Sequence, residues 1–343
     1  MMGSALCVPL TDRGHTVRLI GTPLDGALVS AVAGEQPHPA LRVRLPALSS
    51  CHPVSELEAA CVDADAIVIG VSSAGIAWAA SALAPVLARR PRPLLMLSKG
   101  LEPDAPRGHP PRGLRVLTEA FRLALPGELA AQTWPVAVCG PCIAGELVRR
   151  TPTMVVFTGQ DLGVARRFAD WLETSYYRVV LQADVVGTQV CAALKNAYAM
   201  GIGFGAGLHQ RVGGERGSVA MHNYEAAVFA QALVEMQELV LSQGGGVATA
   251  LGLAGSGDLT VTCNGGRTGR FGALLGMGHA TREAIRLMQG ATLECLEVLG
   301  VLERFLVAAQ HLDRRRLPLL SHLIDVGLHG APVDVPFQEF FRA

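Results

Sequence analysis

The sequence predicts an α/β fold, a doubly wound parallel sheet over residues 1–183, followed by an all-α domain over residues 184–343. Three observations carry that expectation. Short apolar runs rich in β-branched residues alternate with helical stretches through the first half of the chain. From Asp184 onward the strand signals thin out and apolar residues recur at helical spacing. The chain also has 343 residues, more than the roughly 250–300 at which a single core stops growing, so two cores are expected.

In chain order, "GSALCVPLTDRGH" reads as a helix and "HTVRLIG" as a strand. "DADAIVIGV" is a buried strand, "SSAG" a turn and "AWAASALAPVLA" a helix, and "PLLMLS" is the next strand. "EPDAPRGHPPRG" is a proline-rich surface loop, and "LRVLTEAFRLAL" after it reads as a helix. "PVAVCG", "PTMVVFTG" and "YYRVVLQ" supply three more strands. Asp184 is placed to cap a helix whose face carries Val186, Val190, Leu194 and Ala197. Further helices read at "NYEAAVFAQALVEMQELVLSQ", "TREAIRLMQ", "TLECLEVLGVLERFLVAAQ" and "RLPLLSHLIDVGLH".

The beginning departs from this plan. A nucleotide-binding sheet opens with a strand and a glycine-rich turn that delivers the phosphates to a helix N-terminus. Here the chain begins where that turn would be ending, with only Gly3 for the last glycine position. The first strand of a Rossmann-type sheet is therefore missing from the sequence. That strand would be central, so its ladder partners are expected to be left unpaired. Either a strand lies upstream of Met1, or this chain holds a dinucleotide weakly.

Composition narrows the functional classes. Basic and acidic residues number 29 each, and the arginines are dispersed or paired, as in "ARRPR" and "DRRRLP". No long basic face for nucleic acid can be read, and a small-molecule ligand is expected. The opening residues show no signal peptide, which points to the cytoplasm. The uncharged run from Ala66 to Ala88 has the length of a membrane span but is interrupted by Gly70, Ser72, Ser73, Gly75, Ser81 and Pro85. No membrane span is expected. The eight cysteines lack the spacing of a structural zinc site, and no metal is expected. "CGPC" at Cys139–Cys142 has the spacing of a redox dithiol, in which the first thiolate is stabilised at a helix N-terminus.

The chain uses arginine for every cation except two lysines, Lys99 and Lys195. Arginine is a permanent charge, whereas lysine is a compact ammonium that can be tuned to exchange a proton. Lys99 follows a strand, at the end where doubly wound sheets bind ligands, and Lys195 lies beside Asn196 on the first helix of the second domain. In "LGLAGSGDLTVTCNGGRTGRFG", Asp258, Thr262, Arg267 and Arg270 can converge on an anion, with Asp258 orienting a nearby ammonium.

Together with these blocks, "GSALCVPLTDRGHTVRLIG", "DAIVIGVSS", "LSKGLEP", "CGPCIAGEL" and "ADVVGTQVCAALKNAYAMGIGFGAGL" resemble, in order and spacing, the NAD(P)-dependent glycerol-3-phosphate dehydrogenases. The resemblance runs from about residue 3 to 300. It implies reversible reduction of dihydroxyacetone phosphate to sn-glycerol 3-phosphate with NAD or NADP. Lys195 matches the catalytic lysine, which gives a proton to the carbonyl oxygen as hydride arrives. Lys99 and Asp258 join it as catalytic candidates. Lys99, Gly140, Cys142, Asn196, Asp258, Thr262, Arg267 and Thr268 match substrate-site positions. Gly3, Ser4, Ser72, Lys99, Ala144, Arg267 and Gln289 match cofactor positions. A small phosphate substrate and a homodimer are the expected partners.

Several residues depart from the family's pattern. Cys142 stands where a serine is usual, which places "CGPC" on a substrate loop rather than in a redox motif. Thr268 replaces the asparagine after the phosphate arginine and can donate only one hydrogen bond. "VSS" replaces Val-Pro-Ser. After the second strand, "GTPLD" puts Asp25 late for an adenosine-ribose contact, leaving NAD against NADP open. Two other readings remain: a catalytically weak homologue that senses or scaffolds through a nucleotide or phosphate ligand, and a dehydrogenase of 2-hydroxy or 3-hydroxy acids.

Overall fold

The computed structural model describes residues 1–105, 109, 111–215, 221–264, 266–309 and 312–342. The chain forms two compact units, one of Met1–Lys99 with Leu117–Val185, the other of Gly100–Val116 with Val186–Ala343. Nine strands are described: β1 Val17–Ile20, β2 Ser49–His52, β3 Ile67–Ile69, β4 Leu94–Met96, β5 Leu101–Pro103, β6 Leu114–Val116, β7 Val136–Cys139, β8 Thr153–Thr158 and β9 Tyr177–Gln182.

In the first unit, five strands form one sheet in the order β3-β4-β7-β8-β9. β3 with β4, β4 with β7, and β8 with β9 are parallel pairs, while β7 with β8 is antiparallel. The antiparallel step has a physical cause. The link between β7 and β8 holds only the one-turn helix Ala144–Leu147, and a parallel return needs a full crossover connection. Side chains alternate across this sheet. Leu95, Val138, Phe157 and Tyr177 pack on one side with Phe168 and Leu172 of the helix Leu162–Leu172. Leu94 and Met96 pack on the other with Ala80 and Leu83 of the helix Ile76–Arg89 and with Phe121. The carboxylate of Asp161 accepts from the amides of Gly163 and Val164, capping the helix it precedes and contributing about 1 kcal/mol.

β1 and β2 form a separate parallel ladder, so β1 and β3 each pair on one side only. The helix α1, Met2–Asp12, packs against β1 and leads into it. This agrees with the sequence reading of a sheet lacking one strand.

The second unit is built around the 27-residue helix Val185–Arg211, whose middle is buried on nearly every side. Such packing needs small side chains where backbones meet. A Cβ on Gly207 would sit 2.0 Å from the carbonyl oxygen of Ala273, and one on Gly272 would sit 2.1 Å from that of Met200. These glycines let the helix Arg267–Gly276 lie directly on the long helix. A buried carboxylate, Glu235, holds a second join: it accepts from the amides of Leu319 and Leu320 at the start of the helix Pro318–His329, and from Tyr198 and Gln231. Burial raises its pKa to about 7.

The structure corrects one element. The stretch "LRVLTEAFRLAL" reads as helix from its first residue, yet Leu114–Val116 is strand β6, and the helix spans Leu117–Ala124. β6 pairs antiparallel with β5, and the amide of Leu114 donates to Gln243, so the hairpin belongs to the second unit. Its anchor Gln243 lies 129 residues away, which local periodicity cannot register. No helix among the described residues is long and apolar enough to cross a membrane.

Candidate functional site

In the first unit, the carboxyl ends of β3, β4 and β7 and the N-terminus of α1 meet. Gly3 lies against Gly70, so closely that a Cβ on Gly70 would be 3.2 Å from the Cα of Gly3. Ser98, after β4, donates to the carbonyl of Val71, after β3. The ammonium of Lys99 donates to the carbonyl of Gly140 at 2.9 Å, joining the ends of β4 and β7. Gly140 has φ +89°, a turn conformation that suits glycine. Cys142 lies 3.9 Å from the sulfur of Met2. Ala144 opens the short helix Ala144–Leu147, and exposed Ser72 precedes the turn Ser73–Gly75.

This end of the sheet fits a dinucleotide in part. α1 has no side-chain cap, and the amides of its first turn have no intrahelical acceptor, which makes them an anion site. A Cβ at Gly70 would press on the Cα of Gly3, whereas one at Gly3 would meet Gly70 at an ordinary 3.8 Å. The hydroxyl of Ser4 is already engaged. His38, fully buried, accepts at Nδ1 from the amides of Ala40 and Leu41, so its Nε2 carries the proton and donates to Ser4. Burial lowers the pKa of His38 and keeps it neutral. Accepting from His38 leaves the Ser4 hydroxyl its own proton to donate, beside its backbone amide. Asp25 is also engaged locally, its carboxylate accepting from the amide and hydroxyl of Thr22.

"CGPC" does not form a redox pair in this structure. No disulfide joins any of the eight cysteines, and Cys139 is buried as the last residue of β7 rather than placed at a helix N-terminus.

In the second unit, the ammonium of Lys195 donates to the carboxylate of Asp258. The pair is nearly dry, with 11% of the lysine side chain and none of the aspartate exposed. Asp258 reaches this position through an unusual backbone. The residues before it, Leu253–Gly257, form a π-helical turn, in which the amide of Gly257 donates to the carbonyl of Gly252. Gly255 is required there, since a Cβ would fall 2.0 Å from the carbonyl oxygen of Ala250. Thr262 follows Asp258 by one helical turn and donates to its carbonyl oxygen at 2.7 Å. Burial pushes the Cys263 thiol up to about 12, so it stays protonated despite the nearby Lys195.

Asn196, next to Lys195, is buried and donates to the carboxylate of Glu294 at 3.0 Å. Exposed Arg267 and buried Thr268 open the helix Arg267–Gly276, where first-turn amides and a guanidinium suit an anion. Arg270 is exposed one turn further on. Gln289 is exposed beyond the helix Thr281–Leu287 with φ +51°, uncommon for a residue other than glycine. The structure thus joins Lys195 to Asp258 and Lys99 to Gly140.

Sequence reasoning missed Glu294, His38 and the π-helical turn. Glu294 lies 98 residues from Asn196, and nothing local marks the pairing. The π-helical turn did leave a signal, the three glycines of "GLAGSG" immediately before Asp258.

Known proteins share this architecture. Residues 1–165 match the family described as NAD-dependent glycerol-3-phosphate dehydrogenase N-terminus, and residues 184–337 match its C-terminus. An NADP(+)-dependent glycerol-3-phosphate dehydrogenase of Archaeoglobus fulgidus is 35% identical over 288 residues, 84% of this chain and 81% of that protein. A glycerol-3-phosphate dehydrogenase [NAD(P)+] of Bacillus cereus is 29% identical over 335 residues, covering 96% and 89% of the two chains. The solved glycerol-3-phosphate dehydrogenase of Coxiella burnetii superposes with a TM-score of 0.79 at 26% identity, over 98% of this chain and 94% of that one.

Proposed function

For a chain that belongs to the NAD-dependent glycerol-3-phosphate dehydrogenase family, we propose that Lys195 is the proton donor of a reversible reduction of dihydroxyacetone phosphate to sn-glycerol 3-phosphate. The observation that carries this is the buried pairing of Lys195 with Asp258. NADH or NADPH, when bound, supplies the hydride. The ammonium of Lys195 gives its proton to the carbonyl oxygen as the alcohol forms, and the amine left behind regains a proton from water. Asp258 holds the ammonium in place.

Asn196, oriented by Glu294, and Thr262 support substrate holding. Arg267 takes the phosphate with a charge-assisted fork, and Thr268 adds one donor. In the first unit, the first-turn amides at Gly3 and Ser4, together with Ser72 and Ala144, serve the cofactor. Gln289, in the second unit, also serves the cofactor. Lys99, Gly140 and Cys142 are assigned to the substrate loop. We assign residues 1–183 to dinucleotide binding and 184–343 to substrate binding, in an enzyme of the cytoplasm.

The test is oxidation of NADH and of NADPH, followed at the nicotinamide absorbance, with dihydroxyacetone phosphate present or absent. Oxidation that depends on the phosphate substrate is expected. A folded protein that oxidises neither cofactor would sink the catalytic reading in favour of a ligand-binding homologue.

A further inference from the structure

Asn196 follows Lys195 on the helix Val185–Arg211, and only 5% of it is exposed. The two ends of its side-chain amide are held differently. The nitrogen donates at 3.0 Å to Glu294, which opens the helix Glu294–Ala308. A carboxylate only accepts, so Glu294 decides which way the amide points, with its nitrogen toward the carboxylate and its carbonyl oxygen away from it. Among the described residues no donor reaches that oxygen. It is not sealed in either, because the buried side-chain atoms that lack a partner belong, among the described residues, to Arg92, Arg122, Thr158, Thr188 and Tyr224. The Asn196 oxygen therefore opens on space that a ligand can enter.

The hold on Asn196 is firm. The long helix, the helix of Glu294 and the helix Pro318–His329 meet at Gly327, where a Cβ would lie 2.9 Å from Leu299, 3.3 Å from Met200 and 3.4 Å from Leu296. Met200 lies one turn beyond Asn196, and Leu296 is in the first turn that Glu294 begins. Cys295, beside Glu294, is fully buried. Neither partner can shift without opening a close-packed junction.

A fixed donor, Lys195, and a fixed acceptor, Asn196, are thus neighbours in the chain. On the enzymatic reading above, on which this inference rests, the ketone oxygen of the substrate meets Lys195 and its phosphate oxygens meet Arg267. All of those oxygens accept. The one O–H that dihydroxyacetone phosphate brings is its free hydroxyl.

We propose that Glu294 is a positioning residue, which turns the carbonyl oxygen of Asn196 toward the substrate to accept from that hydroxyl, and so selects a phosphorylated ketone with a free hydroxymethyl group. Selection follows from what an analogue leaves behind. A methyl group in place of the hydroxymethyl leaves the Asn196 oxygen desolvated and unpaired. A carboxylate in that place sets oxygen against oxygen, with the carboxylate of Glu294 behind it.

The experiment measures NADH and NADPH oxidation with dihydroxyacetone phosphate, with acetol phosphate, which lacks the hydroxyl, and with phosphohydroxypyruvate, which carries the carboxylate. The wild-type chain should prefer dihydroxyacetone phosphate to acetol phosphate by at least about 100-fold in kcat/KM. In Glu294→Gln the new amide can donate as well as accept, so Asn196 can present either end. The preference should then fall at least tenfold, and phosphohydroxypyruvate should gain relative to dihydroxyacetone phosphate. Dihydroxyacetone phosphate and acetol phosphate carry the same charge, so their ratio does not respond to the charge lost at Glu294 or to a general loosening of the site. A smaller fall, or equal loss of both substrates, would make Glu294 a structural residue and overturn the proposal alone. A chain that oxidises neither cofactor with any of the three would overturn it together with the enzymatic reading.

Discussion

The two lysine sites are built by different means. In the first unit, Lys99 bonds a carbonyl and ties two strand ends together, at the rim of a sheet that retains two free edges. In the second, Lys195 meets a carboxylate in a nearly dry pocket, on helices whose backbones touch through glycine. The first arrangement shapes a loop; the second fixes a charge. A buried ion pair is a poor source of net stability, because desolvation offsets the Coulomb attraction. Its presence at Lys195 is what the proposed proton-donor role requires, an ammonium held in one place.

The contrast is broken most severely at Lys195. Lys195→Arg should lower kcat by about 10²–10⁴-fold, the usual worth of a general acid, with cofactor affinity in a fluorescence titration nearly unchanged. An active variant would remove the proton-donor role. Next, Gly272→Ala should cost about 1–3 kcal/mol in urea unfolding, because the new methyl meets the Met200 carbonyl and the two helices must separate. Wild-type stability would show that this contact can relax.

Lys99→Ala should act more gently than Lys195→Arg. Its loss removes the bond to the Gly140 carbonyl, about 1 kcal/mol for a single hydrogen bond with more for a charged donor, and should raise KM for dihydroxyacetone phosphate about tenfold. A larger fall in kcat than in the Lys195 variant would reverse the assignment of the two lysines.

A separate effect is in pH dependence. Burial raises the folded pKa of Glu235 from the ordinary 4.5 to about 7. The folded state therefore binds this proton more tightly than the unfolded state. Its contribution to stability is complete below about 4.5 and is lost as pH rises through about 7. The slope is at most about 1.4 kcal/mol per pH unit. Glu235→Gln should remove that slope from urea midpoints measured between pH 4.5 and 7, and an unaltered slope would place the titration elsewhere.

By itself the sequence determined the helix at the start and the strands of the main sheet, and it singled out the two lysines. Each was legible because it is local: apolar periodicity, and a rare residue type in a recognisable block. The tertiary structure alone decided how the hairpin β5–β6 escapes a helical pattern, how Asn196 finds Glu294, and how Ser4 is taken up by His38. Those features depend on groups far apart in the chain, whose meeting is set by sheet register and by backbone contact between helices. A window of sequence, which records only neighbours, contains no trace of that energy.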